Sequence, residues 1–402
     1  MHSTHWIKGN NGKSLSGKTI VIGVTGSIAA VRIVELAREL IRNGADVYAV
    51  MSEAATRILH PDALHYATGN PVVTDITGRV EHVSFCGLEG NADLLLIAPA
   101  TANTIGKIAY GIDDTPVTTF ATTAIGSNRP VLVVPAMHQS MYDHPAVTDN
   151  LDKLKKYNIG IVGPLIEEGV AKIASNDDIV LAVERTLGGD TLKGKRVLIT
   201  SGATAETIDP IRILTNRASG KTGMELAREA YRKGADVTIV HRGFLGAEGI
   251  NEVYVESVAE MLDACMDELR KGYDVFISAA AISDYTLESP SSSKIKSGDE
   301  LNLKLRSTSK ILAAVKSEYP DMLAVGFKAE TGVTSEELIA IASFMLESYG
   351  LDLVVANDVA EKGMGTDDNS IFLVESNSTS CYSGSKRELA TTIIGKIADL
   401  IK

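Results

Sequence analysis

The stretch SGKTIVIGVTGSIAA (residues 16–30) runs from an apolar strand into a glycine-rich turn, and VELARELIRNGADVYAV (34–50) continues it as an amphipathic helix and a second apolar strand. Strand, glycine turn, helix and returning strand make a βαβ unit. The same order recurs in KGKRVLITSGAT (193–204) and MELAREAYRKGADVTIV (224–240). Lys18 to Glu35 is 17 positions and Lys195 to Glu225 is 30, whereas Glu35 to Asp46 and Glu225 to Asp236 are both 11. The second copy therefore carries 13 extra residues between its strand and its helix. They are expected to form a loop at the carboxyl end of a strand, where open α/β sheets bind ligands.

Further buried strands are expected at 92–98, 130–136, 273–281, 321–327 and 351–358, with helical stretches between most of them. That alternation predicts an α/β chain of two doubly wound, Rossmann-like domains. The segment TLGGDTLKG (186–194) marks the boundary, giving domains 1–189 and 190–402. ESPSSSKIKSGDE (288–300), rich in serine and charge and poor in apolar residues, is expected to be a mobile loop.

At 402 residues, 45% of them hydrophobic, the chain can bury two cores without staples. Its net charge of -12 argues against nucleic acid or an anionic membrane as a partner. No apolar run approaches the roughly 18 residues of a membrane span. The opening MHSTHWIKGNNGKSLSGK lacks the apolar centre of a signal peptide, so a cytoplasmic protein is expected. Cys86, Cys265 and Cys381 form no CxxC pair, which speaks for reduced thiols rather than a disulfide framework or a zinc site.

ASGKTG (218–223) has the tail of a nucleotide-binding P-loop, but the first glycine of that motif would fall at Thr215. The local case for a Walker loop fails there. In the first half, GVTGSIAA offers backbone N–H groups at a helix start with Ser27 able to cap, which is an anion site by geometry. Three stretches accompany it: VEHVSF (80–85) with His82, APATANTIGKIAYGIDD (98–114) with Thr101, Asn103 and Thr104, and PAMHQSMYDHP (135–145) with His138 and Met141.

In GSIAA, PATANTIGKIAYG and the P-x-M-x-x-x-M-Y pattern, residues 17–187 resemble the flavin-dependent cysteine decarboxylases, which include phosphopantothenoylcysteine decarboxylase. The resemblance implies FMN, with Gly26, Ser27 and Ile28 at its phosphate and Ser52, Thr101, Asn103 and Thr104 around the remainder. It also implies His82 as catalytic base and sites formed between subunits of a trimer-based, possibly dodecameric, assembly. The chemistry fits that inventory: a cysteine carboxylate has no neighbouring carbonyl to accept electrons as CO₂ leaves, so flavin must first oxidise the thiol-bearing carbon while a base takes the thiol proton. Two departures stand out. His138, with Met141 nearby in the substrate-binding stretch, occupies a place where the family usually has asparagine against the substrate carboxylate or amide. Lys172, in EEGVAKIAS (167–175), stands where many members carry a flap cysteine, and either replaces it as acid or pairs with a substrate anion. His138 and His144 lack the carboxylate-rich spacing of a metal site.

In the second half, SGATAETIDPIRILTNRASGKTG (201–223), SAAAISDY (278–285), KIKS (294–297), VGFKAET (325–331) and VVANDV (354–359) resemble the phosphopantothenate–cysteine ligase domain over about residues 192–402. The whole chain thus resembles the bifunctional flavoproteins of coenzyme A biosynthesis, whose substrates are 4'-phosphopantothenate, cysteine and CTP. The resemblance implies that Asn216 orients the acyl intermediate and that Lys294 stabilises transferred charge. It assigns Asp284, Phe327 and Thr308, Ser309, Lys310 and Ile311 to the nucleotide, with Asp284 also toward Mg²⁺. Many family members have two lysines shortly before LDL, where FMLESYGLDL has Met345 and Tyr349 nearby instead, and Lys328 in GFKAE is the candidate substitute. It further implies dimerisation through this domain. ASGKTG reads here as a ligase-type helix start.

Two other readings stay open on sequence alone: a two-domain NAD(P)-dependent oxidoreductase and a non-catalytic flavoprotein regulator. The purified protein is expected to show a flavin absorbance band; bound nicotinamide without that band would favour the oxidoreductase.

Overall fold

Along Ile20, Val21, Ile22 and Val24 the side chains alternate between two buried clusters, Ile20, Ile22 and Val24 facing one and Val21 the other. Leu94 and Leu96 join the first cluster, Leu95 and Ile97 the second. A strand apolar on both faces has to lie inside a sheet covered by helices on both sides. A computed structural model of the chain describes residues 2, 4–167, 170–298, 301–360 and 367–401. It divides into two units, Met1–Gly189 and Asp190–Lys402.

The first unit is built on six parallel strands, β1 (Thr19–Val24), β2 (Asp46–Met51), β3 (Val72–Val73), β4 (Leu94–Ala100), β5 (Val131–Pro135) and β6 (Gly160–Ile161), in the order β3-β2-β1-β4-β5-β6. All seven residues of β4 are buried. The helix Ile33–Arg42 lays Ile33, Leu36, Ala37, Leu40 and Ile41 on one face of the sheet, and Phe120, in the helix Pro116–Gly126, fills the other. A small antiparallel hairpin, β7 (Leu165–Glu167) with β8 (Val170–Lys172), follows β6.

The second unit repeats the order with β9 (Arg196–Ser201), β12 (Asp236–His241), β13 (Asn251–Tyr254), β14 (Val275–Ser278), β17 (Leu323–Glu330) and β18 (Leu353–Asp358). Its sheet runs β13-β12-β9-β14-β17-β18 and then adds β19 (Asp368–Val374) and β20 (Thr379–Ser385), both antiparallel. These two strands were not expected from the sequence: β20 is largely exposed and polar, so no buried run announces it.

The 13-residue insertion is not a plain loop. It pairs as a hairpin, β10 (Ala205–Thr207) with β11 (Ile213–Thr215), before the helix Lys221–Arg232 begins. The 288–300 segment is also more ordered than expected. It lies in the connection between β15 (Tyr285–Leu287) and β16 (Leu305–Ser307), which pair antiparallel, and hydrogen bonds at Ser291 and Ile295 fasten it to residues 208–212. Residues 299 and 300 of that stretch lie outside the described residues.

Cys86 and Cys265 are buried, and burial pushes each thiol up to about 12, whereas Cys381 is exposed. Thiolate is the reactive form, so both buried thiols stay protonated and inert near pH 8. Alkylation of the native protein at pH 8 is expected to label Cys381 alone. Label at Cys86 or Cys265 before unfolding would contradict this packing.

Candidate functional site

In the order 3-2-1-4-5-6 the winding reverses between the first and fourth strands, so the loops after them part and leave a crevice. In the first unit three of the expected residues cap helices at that edge. After β1, Ser27 accepts from the Ala29 N–H at the start of Ile28–Arg32; after β2, Ser52 accepts from Ala55 N–H; after β4, Thr101 accepts from Thr104 N–H and starts the helix Ala102–Tyr110. Each such cap is worth about 1 kcal/mol.

At Gly26 the loop after β1 packs tightly on the residues after β2, since a Cβ there would sit 2.6 Å from the Ala54 Cβ. Thr25, buried, was missed in the sequence: its hydroxyl donates to the Pro99 carbonyl at 2.6 Å and accepts from Thr101 N–H at 3.1 Å, locking the ends of β1 and β4 together. A threonine ending an apolar strand carries no signal until its neighbour across the switch point is known. Gly26 and Ser27 are half-buried, Ser52 and Thr104 buried, and Ile28 and Asn103 exposed.

His82 lies in the helix Glu81–Cys86, its ring edge-on to Phe120 with centroids 6.5 Å apart. Its Nδ1 is buried and has no hydrogen-bond partner among the described residues. Arg129, also unanticipated, fixes the turn after this helix by donating to the carbonyls of Leu88 at 3.2 Å and Gly90 at 2.6 Å.

His138 caps the helix Gln139–Tyr142 by accepting from Ser140 N–H through Nδ1, and the neighbouring Met137 N–H donates to the Ala171 carbonyl on β8 at 3.3 Å. This bond brings the backbone beside Lys172 next to the backbone beside His138. Lys172 is half-buried and Met141 is 49% exposed. Residues 168 and 169 of the flap lie outside the described residues.

The second unit opens a cavity of about 600 Å³ at its own switch point. Asn216, Asp284, Thr308, Ser309, Lys310, Ile311, Phe327 and Lys328 all line it. Asn216 Nδ2 donates to the Ala281 carbonyl at 3.0 Å, which seats the end of the β10–β11 hairpin against the loop after β14. Thr308 donates its hydroxyl to the Ser283 carbonyl at 2.6 Å and its N–H to the Asp284 carbonyl at 3.0 Å. Gly220 has φ +76°, and a Cβ there would sit 3.1 Å from the Gly202 Cα, so ASGKTG folds back tightly on the end of β9.

Asp284 accepts from Lys310 Nζ at 2.5 Å, and that hydrogen bond holds the ammonium pKa above its ordinary value. With side chains 54% and 69% exposed, the pair contributes only about 0–1 kcal/mol to stability. Its significance lies in where it puts the charges. Lys328 pairs with Glu330 at 2.9 Å. Met345 and Tyr349 also line the cavity, as do two further cations, Lys221 of ASGKTG and Lys386. Lys386 is buried, which lowers its pKa, and Lys221 pairs with Asp367 at 2.6 Å. Lys294 does not line the cavity; it sits exposed on the connection between β15 and β16. No cluster of three or more potential metal ligands occurs among the described residues.

Residues 8–188 match the family described as Flavoprotein, and residues 192–401 match the DNA/pantothenate metabolism flavoprotein C-terminal domain. The chain is 49% identical over 405 residues to the coenzyme A biosynthesis bifunctional protein CoaBC of Thermococcus kodakarensis, covering all of both chains. Identity to the protein of that name from Methanocaldococcus jannaschii is 40%, over all of this chain and 98% of the relative. For the one from Vibrio vulnificus it is 34%, over 97% and 99%. With a switch point in each of two sheets and both family matches in sequence order, the chain belongs to the bifunctional coenzyme A biosynthesis proteins.

Proposed function

We propose that the two units perform consecutive steps. The second joins cysteine to 4'-phosphopantothenate using CTP, through an acyl-cytidylate. The first decarboxylates the resulting 4'-phosphopantothenoylcysteine to 4'-phosphopantetheine. The observation that carries this reading is the second cavity, where an amide donor, Asn216, and the Asp284–Lys310 pair face one space of about 600 Å³. Activating a carboxylate as an acyl nucleotide needs donors for the acyl oxygen and cations for phosphates. Asn216 orients the acyl group. Lys310, Ser309, Thr308 and Ile311 hold the nucleotide with Phe327, and Lys328 takes a phosphate. Mg²⁺ fits as an ion carried mainly by those phosphates, with Asp284 as its one protein carboxylate, because Mg²⁺ keeps most of its water and needs few protein ligands.

The first crevice suits FMN. Capped helix starts and the close approach at Gly26 favour a phosphate at Gly26, Ser27 and Ile28. Ser52, Thr101, Asn103 and Thr104 are placed for the remainder. Bound flavin would supply a reversible two-electron acceptor beside the thiol-bearing carbon. His82 takes the thiol proton, and its Nδ1 is buried with no hydrogen-bond partner among the described residues. His138 meets the substrate carboxylate or amide, with Met141 beside it. Lys172 returns a proton or pairs with a substrate anion.

Exposed Ile28, Leu88 and Tyr110, at 77%, 82% and 67%, support a trimer-based assembly of this unit, possibly a dodecamer. The ligase unit is proposed to dimerise. The substrates are small molecules, the setting is the cytoplasm, and no helix among the described residues is long and apolar enough to cross a membrane.

His82→Asn is expected to keep its flavin and the ligation while losing CO₂ release; decarboxylation near the parental rate would remove His82 as the base. Lys172→Ala is expected to release CO₂ once and stall before 4'-phosphopantetheine if the lysine is the acid. A raised KM at unchanged kcat would assign it to anion pairing.

Asn216→Asp adds negative charge beside an anionic intermediate and should impair its formation. Lys294→Gln should slow pyrophosphate release by about 10- to 100-fold, the worth of one charge-assisted contact in a transition state. Both should decarboxylate supplied 4'-phosphopantothenoylcysteine normally. Unchanged ligation in Lys294→Gln would leave that lysine a solvated charge.

A further inference from the structure

The Asp209 side chain is 0% exposed, on the turn between β10 and β11. Burial works against its charge, yet hydrogen bonds from the backbone N–H groups of Ile211, Ile295 and Arg212 and from the Arg212 guanidinium hold its pKa down to about 2. Two of these bonds, from Ile211 N–H at 2.8 Å and Arg212 N–H at 2.9 Å, close the turn itself. Those alone would shape the hairpin.

The others reach further. Ile295 N–H donates to Asp209 Oδ2 at 3.1 Å, and Arg212 Nη1, itself 2.6 Å from Asp209 Oδ2, donates to the Ile295 carbonyl at 3.2 Å. A buried carboxylate and its half-exposed arginine partner thus claim both main-chain polar groups of Ile295, 86 positions beyond Asp209. Ser291 N–H adds a bond to the Ile208 carbonyl at 3.0 Å. Among the described residues, all hydrogen bonds that tie 289–298 to the rest of the unit end on residues 208–212. Ile295, half-buried, stands between Lys294 and Lys296, both exposed and without an ion-pair partner among the described residues. Beyond Arg212, β11 leads directly to Thr215, whose hydroxyl donates to the Thr204 carbonyl at 2.7 Å, and to Asn216 in the cavity wall.

We propose that Asp209 and Arg212 form a clamp that sets the arm bearing Lys294 and Lys296 relative to the hairpin bearing Asn216, so that Asp209 is a positioning residue for ligation. The proposal rests on the ligase reading of Lys294. A free loop would spread two cations over many positions, and the conformational entropy of collecting them would be spent at each turnover. Pinning the peptide between them at both its N–H and its C=O removes that cost in advance. The buried carboxylate is suited to the task because it accepts from the turn and the arm together, which a neutral side chain of the same shape does less well.

The test uses full-length protein with Asp209→Asn, Lys294→Gln and their combination, and Arg212→Lys as a milder second variant should Asp209→Asn fail to fold. Limited trypsin digestion reports on the arm, since both lysines are cleavage sites. Asp209→Asn is expected to raise cleavage after Lys294 or Lys296 by about tenfold or more and to slow pyrophosphate release by about 10- to 100-fold. Decarboxylation of supplied 4'-phosphopantothenoylcysteine should be unchanged. The combined variant should be no slower than Lys294→Gln alone within about twofold, because the two substitutions would remove one interaction. Parental proteolysis and parental pyrophosphate release in Asp209→Asn overturn the clamp, as does a combined loss equal to the product of the single losses. Normal ligation in Lys294→Gln with faster trypsin cleavage in Asp209→Asn would instead remove the ligase role of Lys294 while leaving the anchor in place.

Discussion

The reversal of winding between the first and fourth strands governs each half of this protein. A right-handed crossover packs each helix back onto its sheet, so strands added on either side of the first strand place their helices on opposite faces. The loops leaving β1 and β4, and those leaving β9 and β14, must then diverge. What separates the halves is what fills the gap. In the first unit Thr25 bolts the two strand ends together through Pro99 and Thr101, leaving a rim of helix caps. In the second, a hairpin is inserted at the same point, and Asn216 reaches across to the Ala281 carbonyl. One fold thereby presents a rim of N–H groups in one unit and a walled cavity with cations in the other.

Much of the scaffold could be read directly from the sequence. Strands such as β4, buried along its whole length, appear as unbroken apolar runs, and the matching registers of GADVYAV and GADVTIV place β2 and β12 beside β1 and β9. Elements whose stability comes from pairing rather than burial were hidden. β11, exposed at both ends, and β20, exposed over most of its length, show no alternation that would separate them from loop. The segment 288–300 looked free because its anchor is a main-chain N–H bound to a carboxylate far away in sequence.

The candidate sites divide along the same line. Ser27 was legible as a cap because capping is a local act, a polar side chain against a helix start; Ser52 and Thr101 entered through the family resemblance alone, and their capping appears only in the structure. Lys386 was not, and neither was its meeting with Lys221 of ASGKTG, because the two approach the same cavity from helices more than a hundred residues apart and only the sheet brings them there. Lys294 shows the opposite case: chemically suggestive in sequence, it stands outside the cavity wall, and the backbone beside it is held by Asp209 and Arg212.

The central claim is that two switch-point crevices on one chain carry two reactions in sequence. The most direct measurement incubates the purified full-length protein with 4'-phosphopantothenate, cysteine and Mg²⁺, adding CTP or ATP in turn, and follows pyrophosphate, CO₂ and 4'-phosphopantetheine together. The account predicts that all three appear in equal amounts with CTP, pyrophosphate release depending on the nucleotide and CO₂ release on prior ligation. Pyrophosphate without CO₂, or neither product with any nucleotide while the protein is folded and yellow, would contradict it.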